Sequence, residues 1–157
     1  MRASALVILA GAILTGAALA APVGVLEVSD GHARLTLPLD DGETLSYTYI
    51  QSVYNVEVIE EHERAGGLLQ MDRARSSDIK AIEYFRWTTP IRQRGDEFVA
   101  SAPSYAVPEF VIRITAPNEQ TLRTRSWSLD LPARFGETVV TVRPVWLPRA
   151  IAWWRLR

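Results

Sequence analysis

Thr44-Leu45-Ser46-Tyr47-Thr48-Tyr49-Ile50-Gln51-Ser52-Val53, followed by Val56-Glu57-Val58-Ile59-Glu60-Glu61-His62-Glu63-Arg64, is the stretch that decides the fold. Both runs are rich in Tyr, Thr, Ile and Val, and their dominant pattern is the period of two expected of strands with one buried face. If Tyr54-Asn55 is a two-residue turn, Val53 faces Val56, Gln51 faces Val58, Tyr49 faces Glu60 and Tyr47 faces His62, all on one side of the ribbon. Ile50 with Ile59, Ser52 with Glu57 and Thr48 with Glu61 then occupy the other side. Tyr49, Gln51 and Glu60 are therefore expected to cluster. Three readings of that cluster stay open: a buried polar network that fixes strand register, with Tyr49 donating to Glu60, a contact for a ligand or partner, or, least, catalysis.

The same pattern extends outward in both directions. Val25 to Val28 and Arg34 to Leu37 read as strands around Ser29-Asp30-Gly31, and Asp40-Asp41-Gly42-Glu43 carries the Asp-Gly signal of a tight hairpin turn. Gly66-Gly67 separates the second run from Leu68 to Ala74. Further strands are expected over Glu97 to Ser101, Phe110 to Thr115, Leu122 to Leu131 and Thr138 to Val145, punctuated by Pro117-Asn118-Glu119 and Arg134-Phe135-Gly136-Glu137. Between Ser76 and Pro108 the pattern blurs, and Pro90, Pro103 and Pro108 point to loops or edge structure. The expected fold is all-β: a small antiparallel sandwich or partly closed barrel of eight or nine strands. One domain over 21–146 follows an N-terminal segment over 1–20 and precedes a Trp/Arg-rich tail over 147–157, where Pro148 marks a possible short C-terminal helix.

The chain has 157 residues, no cysteine, two histidines and a net charge of −1. Disulfides, thiol nucleophiles and thiolate metal sites are thereby excluded, and the overall field gives no case for nucleic acid. Charge is divided along the chain: residues 21–63 carry nine acidic groups and one basic, whereas 64–157 carry nine acidic and fifteen basic. Acidic strands paired with arginine-bearing ones account for this, with Glu57, Glu61 and Glu63 facing Arg73 and Arg75 across the Gly66-Gly67 turn. The N-terminus has a different character. Arg2, the uncharged run from Ala3 to Ala17, and Ala18-Leu19-Ala20 before Ala21 have the layout of a secretory signal peptide. Extended to Leu26, the uncharged run reaches a length that can anchor in a membrane. Either way the remainder is expected to be exported, to the periplasm or to the periplasmic side of the inner membrane.

Tyr47-Thr48-Tyr49-Ile50-Gln51-Ser52-Val53, then Glu60-Glu61 and Gly66-Gly67-Leu68, resembles the motif of domain-of-unknown-function family 1850, small exported bacterial proteins associated with TRAP-type (TAXI) transporters. The resemblance extends over about residues 24–143. It implies an accessory role beside a TRAP-type permease or its solute-binding protein. Gln51 stands where that family has histidine and Glu57 where it has proline, and Ser77-Asp78-Ile79-Lys80-Ala81 replaces its Gly-Ala-Gly segment. A glutamine keeps a hydrogen bond but does not titrate near neutral pH, which weighs against acid–base chemistry at that position.

No nucleophile elbow, zinc-helix motif, dinucleotide fingerprint or phosphate loop is present. No cofactor is expected, and no enzymatic activity. Asp40-Asp41 lacks the alternating ligands and closing glutamate of a calcium loop. Glu60 and Glu61 are adjacent on a strand and point to opposite faces, so they cannot act as a pair. The candidate partner- or ligand-contacting residues are Tyr47, Tyr49, Gln51, Ser52 and Glu60, together with Trp146, Trp153 and Trp154. The three tryptophans sit among Arg143, Arg149, Arg155 and Arg157, with no acidic residue after Glu137. That composition suits a peripheral membrane contact or the edge of a protein partner, and equally the closing of an open barrel end. A periplasmic small-ligand binder with an aromatic-lined barrel mouth is the second functional expectation. An envelope enzyme of unrecognised type is the third.

Overall fold

A computed structural model describes residues 18–115 and 118–156. Most of the expected signal or anchor segment, 1–17, lies outside them, as does Pro117. Twelve strands and three short helices are described. The strands are β1 (Pro22–Ser29), β2 (Arg34–Pro38), β3 (Thr44–Gln51), β4 (Val56–Ala65), β5 (Leu68–Ser76), β6 (Ile91–Arg94), β7 (Glu97–Ser101), β8 (Ala106–Val107), β9 (Phe110–Arg113), β10 (Gln120–Arg123), β11 (Ser128–Asp130) and β12 (Val139–Pro148). The helices are α1 (Ile79–Glu83), α2 (Leu131–Phe135) and α3 (Arg149–Arg155).

They form two antiparallel sheets that pack as a sandwich and do not close into a barrel. The small sheet has the order β2-β1-β12-β9; the large one runs β11-β10-β3-β4-β5-β7-β6, with β8 beside β5. Between them lies the main core: Leu26, Val28, Leu39, Leu45, Leu69, Ile112, Ile114, Leu122, Leu131, Val140 and Val142. The alternation of β1 shows how the sequence assigns faces. Leu26 and Val28 point inward, while Val25 and Glu27 point outward and are nonetheless 1% and 4% exposed, because α3 packs back over β1 and β12. The large sheet is wider than the small one. Its uncovered half is closed by α1 over a second cluster of Met71, Ala74, Ile82 and Ala100, with Phe85 and Trp87 packed against it.

Four expectations are corrected. The strand count exceeds eight or nine because the blurred stretch from Ser76 to Pro108 adds β6 and β8 to the expected β7, along with α1, and because the run from Leu122 divides in two. Leu122 to Leu131 is not one strand: the chain turns at Thr124–Trp127 and returns as β11, and Leu131 starts α2. Asp40–Glu43 is a turn with Gly42 at φ 74°, but it carries the chain from the small sheet to the large one and closes no hairpin. Finally, Pro22 to Leu26 belong to β1, so an anchor drawn from the N-terminal run ends by Ala21. At the other end β12 continues through Leu147 to Pro148, and α3 takes most of the remaining tail.

The β4–β5 pairing contains an irregularity that the alternation requires. Ala65 pairs with Leu68 and His62 with Met71, but Glu61 then pairs with Arg73, leaving Asp72 as a bulge. Without it Glu61 would face Asp72, Arg73 would turn into the core and Ala74 out to solvent. The extra residue restores the period, as bulges do. Arg73 Nε donates to Glu61 at 2.6 Å and Arg75 Nε to Glu61 at 3.1 Å. Of the three glutamates expected to meet these arginines, Glu61 takes both.

Candidate functional site

The motif face of β3 and β4 is the inner face of the large sheet. β3 pairs with β4 as Gln51–Val56, Tyr49–Val58, Tyr47–Glu60 and Leu45–His62. This register lies two residues from that of a two-residue turn, because the connection is the four-residue loop Ser52–Asn55. Asn55 takes a positive φ of 54° there, and its N–H donates to Gln51 O at 2.7 Å. An even shift keeps every side chain on its predicted face. Tyr49 therefore still reaches Glu60, now diagonally, and its hydroxyl donates to Glu60 Oε1 at 2.9 Å.

Around that bond the structure assembles a polar and aromatic layer. The Tyr47 and Tyr49 rings stack with centroids 4.9 Å apart, and Phe110 of β9 tilts against Tyr47 at 6.4 Å. The Gln120 amide donates to the Tyr47 hydroxyl at 2.8 Å and to Arg113 O at 3.1 Å. His62 lies flat on Phe110 at 4.8 Å, with Nε2 3.6 Å from Glu60 Oε2. Its ring is buried, and neither nitrogen has a hydrogen-bond partner. Burial pushes the Tyr47 phenol up to about 12, with the Glu60 charge adding to the shift and Gln120 opposing it. Burial raises Tyr49 further still, helped by the charge and hydrogen bond of Glu60. Both phenols are thus held protonated, as hydrogen-bonding groups.

Gln51 is brought to the same face but not to the same place. It is buried at the end of β3 with Oε1 unpartnered. Its partner Val56 lies four residues along β4 from Glu60, roughly 13 Å by the strand rise. Ser52 is exposed in the loop. Trp146 lies on β12, 46% exposed, and Trp153 and Trp154 on α3 are 63% and 77% exposed. The eight candidate residues therefore divide between the interior network, the loop and the α3 end.

Sequence reasoning missed Arg64. Its side chain is 0% exposed, inserted between the sheets at their Gly66 end. Nη1 donates to Leu39 O at 2.6 Å and Val25 O at 3.3 Å, Nη2 to Val145 O at 3.1 Å, and Nε to Gly66 O at 3.0 Å. Asp41 Oδ1 lies 3.1 Å from Nε, and the guanidinium sits 4.5 Å over the Trp146 ring. Burial pulls this guanidinium below its ordinary value, while Asp41 and Asp40 pull it back. The signal was its parity: Arg64 falls in step with Val58, Glu60 and His62, hence inward. Gln120 and Phe110 gave no comparable signal.

Two open grooves lie elsewhere. One of about 770 Å³ runs between Asp40–Ser46 and Arg123–Ser126, and one of about 370 Å³ runs beside Glu27, Arg34 and Arg143. The larger is lined by charged and hydroxyl side chains and no aromatic ring. Among the described residues no three His, Asp or Glu side chains converge as metal ligands, and no helix is long and apolar enough to cross a membrane. Comparison with protein-family models, with curated proteins and with solved structures returns no match.

Proposed function

We propose that the protein is a non-enzymatic, exported accessory module of the cell envelope that works by docking beside a TRAP-type solute transporter. The observation that carries the non-enzymatic part is the orientation of the motif. Tyr47, Tyr49 and Glu60 point into the sandwich, with both phenols held protonated and the Tyr49–Glu60 bond tying β3 to β4. A network so placed specifies strand register, with the Glu60 carboxylate engaged by the Tyr49 hydroxyl and its side chain 19% exposed. The transporter and the exported location rest on the sequence resemblance and on the N-terminal segment.

The test is a crosslinking pull-down from envelopes of the native bacterium, with the tag inserted at the exposed Gly95 turn between β6 and β7, far from α3. Recovery of a TRAP-type permease or its solute-binding subunit is the expected result. Recovery of the free protein alone overturns the reading. It would favour a periplasmic ligand binder, whose site would be the 770 Å³ groove, polar and open rather than an aromatic barrel mouth.

A further inference from the structure

Helix α3 is built the wrong way round for a helix facing water. Ala152 is its buried residue, 2% exposed against the outer face of the small sheet. At about 100° per residue, Ala150, Ile151, Trp153 and Trp154 fall on the opposite half. All are exposed: Ile151 to 43%, Trp153 to 63% and Trp154 to 77%. Arg149 and Arg155 flank that half and are themselves exposed. The Arg149 backbone N–H donates to Ala21 O at 2.9 Å, and the Arg155 guanidinium lies 3.9 Å from Glu27. An apolar outward half with basic flanks inverts the polarity of an ordinary surface helix, whose charged face looks outward.

The other end of the chain emerges at the same place. Pro22 pairs with Pro148 across β1 and β12, so the segment before Ala21 leaves the domain beside the first turn of α3. That segment is uncharged from Ala3 to Ala20, eighteen residues, close to the length that spans a hydrocarbon core. Leu19 is 48% exposed where it leaves. No acidic residue occurs after Glu137 to repel a negatively charged surface.

We infer that α3 seats on the surface of a phospholipid bilayer, the one into which the N-terminal run leads. Ile151, Trp153 and Trp154 enter the headgroup–acyl boundary, and Arg149 and Arg155 lie among anionic headgroups. A seven-residue helix holds such a surface weakly alone. The chain enters the domain beside α3, so a run retained in the membrane as an anchor makes the contact intramolecular, and a weak helix then suffices. The contact does not depend on a transporter partner.

The test reconstitutes the full chain in phosphatidylethanolamine–phosphatidylglycerol vesicles, with and without brominated acyl chains, and reads tryptophan emission. W153F/W154F is the comparison, since both side chains are exposed, and its thermal midpoint is read alongside to check that the fold is kept. Bromolipid is expected to quench the wild-type chain strongly, and the double variant should lose more than half of that quenching. Replacing phosphatidylglycerol by phosphatidylcholine, or raising the salt, should weaken it. Equal quenching in both proteins, or none in either, overturns the inference. So does emission that responds to protein concentration and not to bromolipid, which would make the face a contact between copies of the chain.

Discussion

At the scale of single residues, Arg64 and Gly24 together set the spacing of the sandwich at one end. Arg64 supplies donors to four carbonyls drawn from β1, from β12, from Leu39 between β2 and β3, and from the β4–β5 turn. No other side chain has that fork of donors, and a lysine at this depth could satisfy only some of them. Gly24 is what lets the guanidinium in. A Cβ at position 24 would lie 2.6 Å from Arg64 Cζ and 2.7 Å from Leu39 O, and would overlap Arg64 Nη1. Arg64→Ala strands buried carbonyls and leaves a cavity, so urea unfolding should show a loss of about 3–5 kcal/mol. Gly24→Ala should lose about 1–3 kcal/mol through overpacking. The two losses should not add. With the guanidinium gone two of the three close contacts vanish and only that with Leu39 O remains, so Gly24→Ala in the Arg64→Ala background should cost less than alone. Strict additivity in that cycle would show that the two residues act separately.

At the scale of elements, the β4–β5 ribbon turns on one inserted residue. Asp72 is exposed and its side chain makes only a 3.6 Å ion pair with Arg73. Asp72→Ala should shift the thermal midpoint little, within about 0.5 kcal/mol of stability. Deleting Asp72 removes the bulge and leaves the faces in place, since Met71 is then followed by Arg73 still opposite Glu61 and by Ala74 still inward. A loss of about 1–3 kcal/mol from the lost local twist, with the cooperative transition kept, is expected on calorimetry. Loss of cooperative unfolding on this deletion would show that the bend of the bulge, and not parity alone, holds the ribbon on the core. The same ribbon shows what sequence could tell. The faces of β3 and β4 were legible because alternation depends only on parity, which the four-residue loop preserved. The register was not, because nothing marks Ser52 rather than Tyr54 as the start of the turn. The bulge was invisible for a related reason: it corrects a pattern that pairwise alternation alone leaves ambiguous. Helices α1 and α2 were missed although Asp78 and Asp130 carry the signal. Both cap with their carboxylates, accepting from Lys80 N and Ala133 N, and Pro132 follows Asp130 by two. The interior placement of the Tyr49–Glu60 pair depended on which sheet covers it, and that is a property of the topology rather than of the strands.

At the scale of the whole molecule, one sheet serves two cores of unequal size. Eleven buried side chains join the two sheets, whereas four, two of them alanine, join α1 and β7 to the far half of the large sheet. At roughly 2 kcal/mol for each fully buried large side chain, the second cluster has far less to lose on opening. Its outermost strand, β6, pairs only with β7, and three of its four residues are exposed. The segment from Ile79 to Arg94 is therefore poised to open without the sandwich, in the manner of a local unfolding unit. Native-state hydrogen exchange in low denaturant should separate the two. Amides of α1 and β6 should exchange through an opening clearly smaller than the global free energy, while those of β1, β3, β4 and β12 exchange only with global unfolding. Ile82→Ala sharpens the test: it should speed exchange over residues 79–94 and leave the protection of β1 and β12 nearly unchanged. If protection in both halves falls together, α1 is cooperative with the sandwich and the two clusters behave as a single core. Separate behaviour would make the Gly95 end the pliable one. The rigid end would then be that of Arg64, where the chain enters and α3 lies.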